Sequence, residues 1–311
     1  RGMAWLDTGT PTAHLPVRTE RLDGQFIGRS QELRLLQERL QAVQSGYGMV
    51  IGIVGEPGIG KSRLLAEFRQ TLAGHSLTYL QGRCLSYGKA LPYLPVVDVL
   101  RQHCGIAVAD PAAMVIAKLR HALQEVAMEP ATWMPYLQAL CGLPDDQEVL
   151  HTLSPQVAQM RMIDTLVQLG LRGSQRRPLL LEIEDLHWID SASEAYLLAL
   201  TERLARARVL LLLSYRPGYR SAWMDKSYAM QMALQRFTPE ESVAIVHGVL
   251  RTQTIAPPVL RDIVTKADGN PFFLEELTLA MSQAEAGLPV PLPATVQAVL
   301  AARIERLEAE E

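Results

Sequence analysis

Eight consecutive residues, Gly55-Glu56-Pro57-Gly58-Ile59-Gly60-Lys61-Ser62, satisfy the spacing GxxxxGK[ST] in full. Each residue type has a use in holding a polyphosphate. Glycines let the backbone curl until successive N–H groups point inward at phosphate oxygens, Lys61 neutralises the terminal phosphates, and Ser62 offers a hydroxyl to magnesium. A chain of this length carries the pattern by chance in roughly 1% of cases, so a plain glycine-rich turn is the competing reading. Context decides between them. The apolar run Met49–Val54 precedes the motif with strand character, and Leu64, Leu65 and Phe68 follow at helical spacing, so the loop joins a buried strand to a helix whose positive end faces the anion. Gly55, Pro57, Gly58, Ile59, Gly60, Lys61, Ser62 and Arg63 are therefore the expected nucleotide contacts from this segment.

A phosphate loop needs an acidic partner on a neighbouring strand to hold hydrated magnesium and orient water. The run Leu179-Leu180-Leu181-Glu182-Ile183-Glu184-Asp185 supplies one. One division of labour puts Glu184 toward the metal, with Ser62, and Asp185 as the base for the attacking water. The spacing leaves the order of the two open, so both count as candidate metal-side residues. Glu182 is out of keeping with a central parallel strand, which is apolar on both faces; it sits near the strand end, faces a gap, or joins the polar site. Arg216 follows the apolar run Val209–Leu213, where open parallel sheets present ligand-facing residues, and can contact a terminal phosphate. An exposed loop arginine beside the turn Pro217-Gly218 is the bland alternative. His187 and Trp188 read as packing and cap residues, and Gly269-Asn270-Pro271 on its own reads as a turn.

The elements that must position these residues follow from periodicity. Ser30 stands as an N-cap before Leu33, Leu36, Leu40 and Val43 at helical spacing. Leu77–Leu80 reads as a second strand. From about Pro92 to Gly173 there is no convincing strand; helices alternate with Pro111, Pro130, Pro135 and Pro144, and the last begins at Ser154-Pro155 with a stripe of Val157, Met160, Ile163 and Val167. Ser191-Ala192-Ser193-Glu194 forms a capping box for a helix running to about Arg206, and Met230–Phe237 is a further strand candidate. After Thr238-Pro239-Glu240-Glu241, another capping box, only helices follow: Glu240–Leu250, Val259–Ala267, Phe272–Ala284, and a fourth carrying Val296, Leu300, Ile304 and Leu307. The expected organisation is an arm (1–25), an α/β core (26–237) with a helical insertion around 92–173, and an all-helical unit (238–311).

Composition bounds the class. The chain has 311 residues, 48% apolar and 20% charged, with a formal net charge of -3. This excludes a disordered or collagen-like chain and withholds the basic footprint of a dedicated nucleic-acid binder. No run approaches the length of a membrane span. The three cysteines, Cys84, Cys104 and Cys141, form no CxxC pair, which with the lack of an apolar leader points to a reducing, cytoplasmic setting. A sequence that opens on Arg1-Gly2-Met3 and stops within Glu308–Glu311 reads as the middle of something longer.

Taken with Phe26-Ile27-Gly28-Arg29, the Glu184-Asp185-Leu186-His187-Trp188-Ile189-Asp190 run, Ser214-Tyr215-Arg216-Pro217 and Gly269-Asn270-Pro271-Phe272-Phe273, the motifs make the chain resemble an ATPase domain of the STAND class within the AAA+ superfamily. It is similar to the ATPase modules of large LuxR-type transcriptional regulators and of multidomain bacterial class III adenylate cyclases. The resemblance spans Phe26 to the C-terminus. It implies a P-loop NTPase fold, with a parallel five-stranded sheet between helices followed by a helical lid. It also implies ATP or ADP with Mg²⁺ as ligands, Phe26, Ile27, Gly28 and Arg29 bordering the adenine, Arg216 sensing the γ-phosphate, and Pro271 pressing the lid onto the base. Lys61, Glu184, Asp185 and Arg216 would carry the chemistry. Glu182 and the glutamate at 184 both depart from the pattern, where an apolar residue and aspartate are expected.

The expected function is an ATP-driven regulatory switch that hydrolyses slowly, attached to effector and sensor domains outside this chain. It would make no direct nucleic-acid or membrane contact and would oligomerise in response to nucleotide, with Arg29, Arg83 or Arg220 as candidates to act across a subunit boundary. The alternatives are a non-hydrolysing nucleotide-binding scaffold, an origin-recognition-like AAA+ ATPase acting on DNA, and, more remotely, a small-molecule kinase.

Overall fold

The computed structural model describes residues 26–88, 91–144, 149–251 and 255–284. The arm at 1–25 and the helical pattern of Val296, Leu300, Ile304 and Leu307 lie outside the described residues. Five strands, β1 (Met49–Val54), β2 (Thr78–Arg83), β3 (Leu179–Glu184), β4 (Val209–Tyr215) and β5 (Ala229–Ala233), form one sheet in the order β2-β3-β4-β1-β5. Every neighbouring pair is parallel. Strands β3 and β4 are buried along their whole length, as the unbroken apolar character of Leu179–Leu181 and Val209–Leu213 requires of strands covered on both faces.

Helix α1 (Ser30–Gln44) and α2 (Lys61–Thr71) cover one face, where Leu36, Leu40, Leu64, Leu65 and Phe68 meet Ile51, Ile53, Leu180, Leu210 and Leu212. The other face carries α7 (Ser191–Thr201) and the helices inserted between β2 and β3: α3 (Leu94–His103), α4 (Ala112–Glu125), α5 (Pro130–Leu140) and α6 (Pro155–Arg176). Helices α8 (Pro239–Leu250), α9 (Pro257–Ala267) and α10 (Pro271–Ala284) gather around their own cluster of Val246, Ile263, Ala267, Leu274 and Leu277. None of the described helices is long and apolar enough to cross a membrane.

Several local expectations shift for identifiable reasons. Arg29, with φ of 54°, and not Ser30, is the residue preceding α1, and no side chain caps it. Asp190, one residue ahead of the proposed box, caps α7 by accepting from the Ser193 amide at 2.9 Å; the same oxygen accepts from the Tyr93 amide at 3.1 Å, tying the insertion to α7. That helix ends at Thr201, and Leu204–Arg206 is a separate 3-10 turn. Pro135 lies inside α5 and is buried there. Met160 is 60% exposed; the packed stretch of α6 is Thr165–Val167 and Leu169, where it meets α5, α7 and β3. Ser154 caps α6, and Thr238 and Glu241 close a full capping box on α8.

The edge strand β2 is held from outside by one side chain. The amide of Gln102 on α3 accepts from the Gln81 backbone N–H at 3.0 Å and donates to the Gln81 carbonyl at 2.6 Å. All three cysteines are free.

Candidate functional site

Because every strand is parallel, the loops leaving β1, β3 and β4 emerge at one edge of the sheet, the edge where open α/β folds hold ligands. The loop after β1 is Gly55–Gly60. Gly58 and Gly60 adopt φ of 75° and 97°, left-handed conformations that glycine enters without a Cβ penalty. Ile59 anchors the loop from below, 1% exposed among the core residues of the α1/α2 face. Lys61 opens α2, and its Nζ donates to the carbonyls of Gly55 at 2.8 Å and Glu56 at 3.0 Å. Burial lowers the Lys61 pKa; Asp185 opposes that shift and Arg216 adds to it. The loops after β1, β3 and β4 thus bring Lys61, Asp185 and Arg216 into one electrostatic neighbourhood. Arg216 itself is exposed, just beyond the end of β4. Arg63 faces along α2, paired with Glu67 at 2.6 Å.

The carboxylates at the end of β3 diverge. Glu184 is buried, and its Oε2 accepts from the Ser62 hydroxyl at 3.0 Å. Its Oε1 accepts from Gln81 Nε2 at 2.6 Å. Asp185 leaves the strand with φ of 59°, its amide donating to Ser214 Oγ at 3.2 Å, and its carboxylate lies 3.6 Å from Arg83 Nε. The left-handed turn between the two residues swings Asp185 out of the Ser62–Glu184 pair. Of the three arginines suggested to act across a subunit boundary, Arg83 therefore neighbours its own chain's Asp185. Arg29 reaches the carbonyl of Gln235, pairs with Glu32 at 3.1 Å, and lies 4.5 Å over the Phe237 ring.

Glu182 neither ends the strand nor faces a gap. It is fully buried, with Tyr79 donating to Oε2 at 3.0 Å, Gln81 to Oε1 at 3.3 Å and Arg69 of α2 to Oε1 at 3.4 Å. Burial pushes its carboxyl up to about 7, against the pull of Arg69. Tyr79, Gln81 and Arg83 stand opposite Leu180, Glu182 and Glu184 in the parallel register, on the face that α2 covers. The polar side chains thus form a ladder leading to the phosphate loop.

The helical unit touches the loop directly. Asn270 Nδ2 donates to the Pro57 carbonyl at 3.0 Å, its Oδ1 accepts from the Phe272 amide at 3.1 Å, and that amide also reaches the Gly58 carbonyl at 3.3 Å. Pro271 lies over the loop, its Cγ 3.8 Å from where a Cβ on Gly60 would stand. Arg236 pairs with Glu56 of the loop at 2.7 Å and also with Asp268. Phe26 packs on the α1/α2 side of the core, while Ile27 lies against Gly248 of α8 and Gly28 against Phe237 and Glu241. The Phe26–Arg29 segment therefore runs between core and helical unit.

Gln81, Tyr79, Arg69, Arg236 and Asp268 belong to no motif in the sequence. The signal for the first two was the alternation Tyr79, Gln81, Arg83 against Leu80 and Gly82 on a strand next to Glu182. Arg236 and Asp268 have no local signature, since their pairing depends on how the two units dock.

The donor set suits a phosphate-bound magnesium. Ser62 and Glu184 already share a hydrogen bond at the mouth of the loop, and a hard ion held by one hydroxyl, one carboxylate, waters and substrate phosphates needs no protein cage. Among the described residues no cluster of three His, Cys, Asp or Glu side chains forms such a cage.

Comparison with known proteins speaks to the family and the fold. The family model described as an AAA ATPase domain matches residues 25–213. An uncharacterized protein of Rhizobium meliloti (strain 1021), R02095, is 27% identical over 269 residues, covering 85% of this chain and 26% of that protein. The chain thus spans about a quarter of this relative's length. Among solved structures, Drosophila ORC bound to DNA superposes with a TM-score of 0.53 at 14% identity, over 91% of this chain and 62% of that one. The Aeropyrum pernix ORC1 protein in complex with DNA gives a TM-score of 0.52 at 14% identity, over 92% and 67%. At such identities these two likenesses speak to the fold.

Proposed function

The chain belongs to the AAA ATPase domain family, and from that premise we propose that it is a Mg²⁺-dependent, ATP-operated regulatory switch within a larger cytoplasmic signalling protein. The observation that carries this reading is the hydrogen bonding of the helical unit onto the phosphate loop, Asn270 to Pro57 and Phe272 to Gly58. A change in what the loop holds is felt at once by the helices. Differential contacts of that kind are what a ligand needs in order to shift a two-state equilibrium.

In this reading the curled backbone of Gly55–Gly60 and the Lys61 ammonium bind the phosphates, for which Lys61 exchanges its bonds to Gly55 and Glu56. Ser62 and Glu184 hold magnesium, which when bound neutralises charge developing on the phosphates. Asp185 orients the attacking water and takes its proton. Arg216, beyond β4, senses the terminal phosphate, and Pro271 with the Phe26–Arg29 segment borders the base. Slow hydrolysis returns the module to an ADP-held resting state. The motif resemblance to STAND modules of transcriptional regulators and adenylate cyclases supports an output made by attached domains, as does a relative nearly four times the length matched. The net charge of -3 favours a module that does not itself grip DNA.

Lys61→Ala tests the site. Calorimetric titration with ADP and ATP is expected to show binding to the parent protein and none to the variant; equal binding would refute the assignment. Phosphate release tests the turnover: its absence even from the full-length, activated protein would favour a nucleotide-stabilised scaffold. Salt-sensitive retention on duplex DNA would favour the origin-recognition-like reading.

A further inference from the structure

The geometry points to Gln81 as a positioning residue for Glu184: a side chain that never meets nucleotide but fixes the direction in which the magnesium-side carboxylate faces. This rests on the reading of Glu184 given above and goes beyond it. The Gln81 amide nitrogen has two protons, and both have an acceptor. One goes to Glu184 Oε1 at 2.6 Å and the other to Glu182 Oε1 at 3.3 Å. With Oε1 held, Oε2 is the oxygen left to face Ser62, 3.0 Å away. A glutamate has one more side-chain torsion than an aspartate, so a carboxylate at this position needs an external hold to keep a single orientation. The amide supplies it.

The hold is itself braced from two sides. On the inner side Glu182 fixes the amide, and is fixed in turn by Tyr79 and Arg69. On the outer side the Gln102 side chain bonds both backbone groups of Gln81, so the strand cannot slide without breaking two hydrogen bonds. Glu182, unexpected on a central strand, thus has a use: it completes the coordination of the amide that aims Glu184. Outer partners of this kind commonly change metal affinity about 10- to 100-fold when removed.

The experiment measures how much Mg²⁺ is needed to support tight ADP and ATP binding, alongside nucleotide affinity in EDTA, for the parent protein, Gln81→Met and Glu184→Gln. Methionine keeps the length of the side chain and deletes the donor. Gln81→Met is expected to raise the Mg²⁺ requirement about tenfold or more while leaving the EDTA affinity within about twofold, a split that general loosening of the fold would not produce. If Glu184→Gln raises the requirement and Gln81→Met does not, the positioning role is overturned and the magnesium reading stands. If Glu184→Gln leaves the requirement unchanged, the magnesium reading falls and this inference with it. Should Gln81→Met fail to fold, Gln81→Asn draws the amide back by one methylene on the same strand face and must show the same rise; an unchanged requirement there overturns the proposal equally.

Discussion

Asn270, at the N-terminus of α10, donates its side-chain amide to the Pro57 carbonyl of the phosphate loop at 3.0 Å. The residue is buried, and its other side-chain atom accepts from the Phe272 amide, starting the helix. One side chain therefore ties the helix to the loop and caps the helix. Asn270→Ala is expected to lower stability by about 1–3 kcal/mol and to raise amide exchange in α10. Asn270→Asp keeps the acceptor for Phe272 and loses the donor to Pro57. It should protect the first turn of α10 while still loosening the loop, a separation visible by hydrogen exchange.

Gly58 cannot accept a side chain. A Cβ there would stand 2.8 Å from Phe272 Cβ and 2.9 Å from Asn270 Oδ1, on a backbone with φ of 75°. Gly58→Ala should cost roughly 1–3 kcal/mol from strain and collision together, and weaken nucleotide binding by displacing α10. Denaturant unfolding and nucleotide titration on the same preparation check both effects.

Asp185 occupies a left-handed backbone conformation, φ 59°, which asparagine tolerates better than alanine. Asp185→Asn is thus the cleaner probe of the proposed base. ATP affinity should remain within about threefold while phosphate release falls by about 10²- to 10⁴-fold, the range of a lost general base. Unchanged release would remove Asp185 from the chemistry.

Tyr79 donates to buried Glu182 at 3.0 Å and accepts from Arg69 at 3.2 Å. Tyr79→Phe removes one donor from a fully buried carboxyl. A loss of about 1–3 kcal/mol is expected in urea unfolding.

Burial pushes the thiols of Cys84 and Cys104 up to about 12. The thiolate is the reactive form, so at pH 8 both cysteines should be alkylated on the order of a hundredfold or more slower in the native protein than in denaturant. Raising the pH should speed the native reaction. Mass spectrometry of each peptide against time reads this residue by residue.

Much of the site was legible because local rules carry it. A glycine-spaced loop between an apolar strand and an amphipathic helix calls for left-handed backbone at its glycines, and Gly58 and Gly60 adopt it. Thr238 and Ser154 cap their helices as their spacing requires. At α7 the spacing points to Ser191, one residue past the cap that forms. Asp190 won over Ser191 because its carboxylate also serves Tyr93, a residue 97 positions away in sequence. Arg29 likewise precedes α1 in a left-handed turn fixed by its contacts with Gln235 and Phe237. Glu182 was legible as an anomaly but not as a solution, since its partners come from α2 and β2 and converge only once the sheet is assembled.

The Gln102 side chain has a further consequence at the rim of the sheet. β2 is an outermost strand, and an open strand edge invites pairing with another chain. The outward N–H and C=O of Gln81 are already spent on Gln102, and α3 packs against β2. Midway along this edge an incoming strand would find its hydrogen-bonding partners taken. Joining the sheets of two copies into one across β2 would first require Gln102 to let go of Gln81.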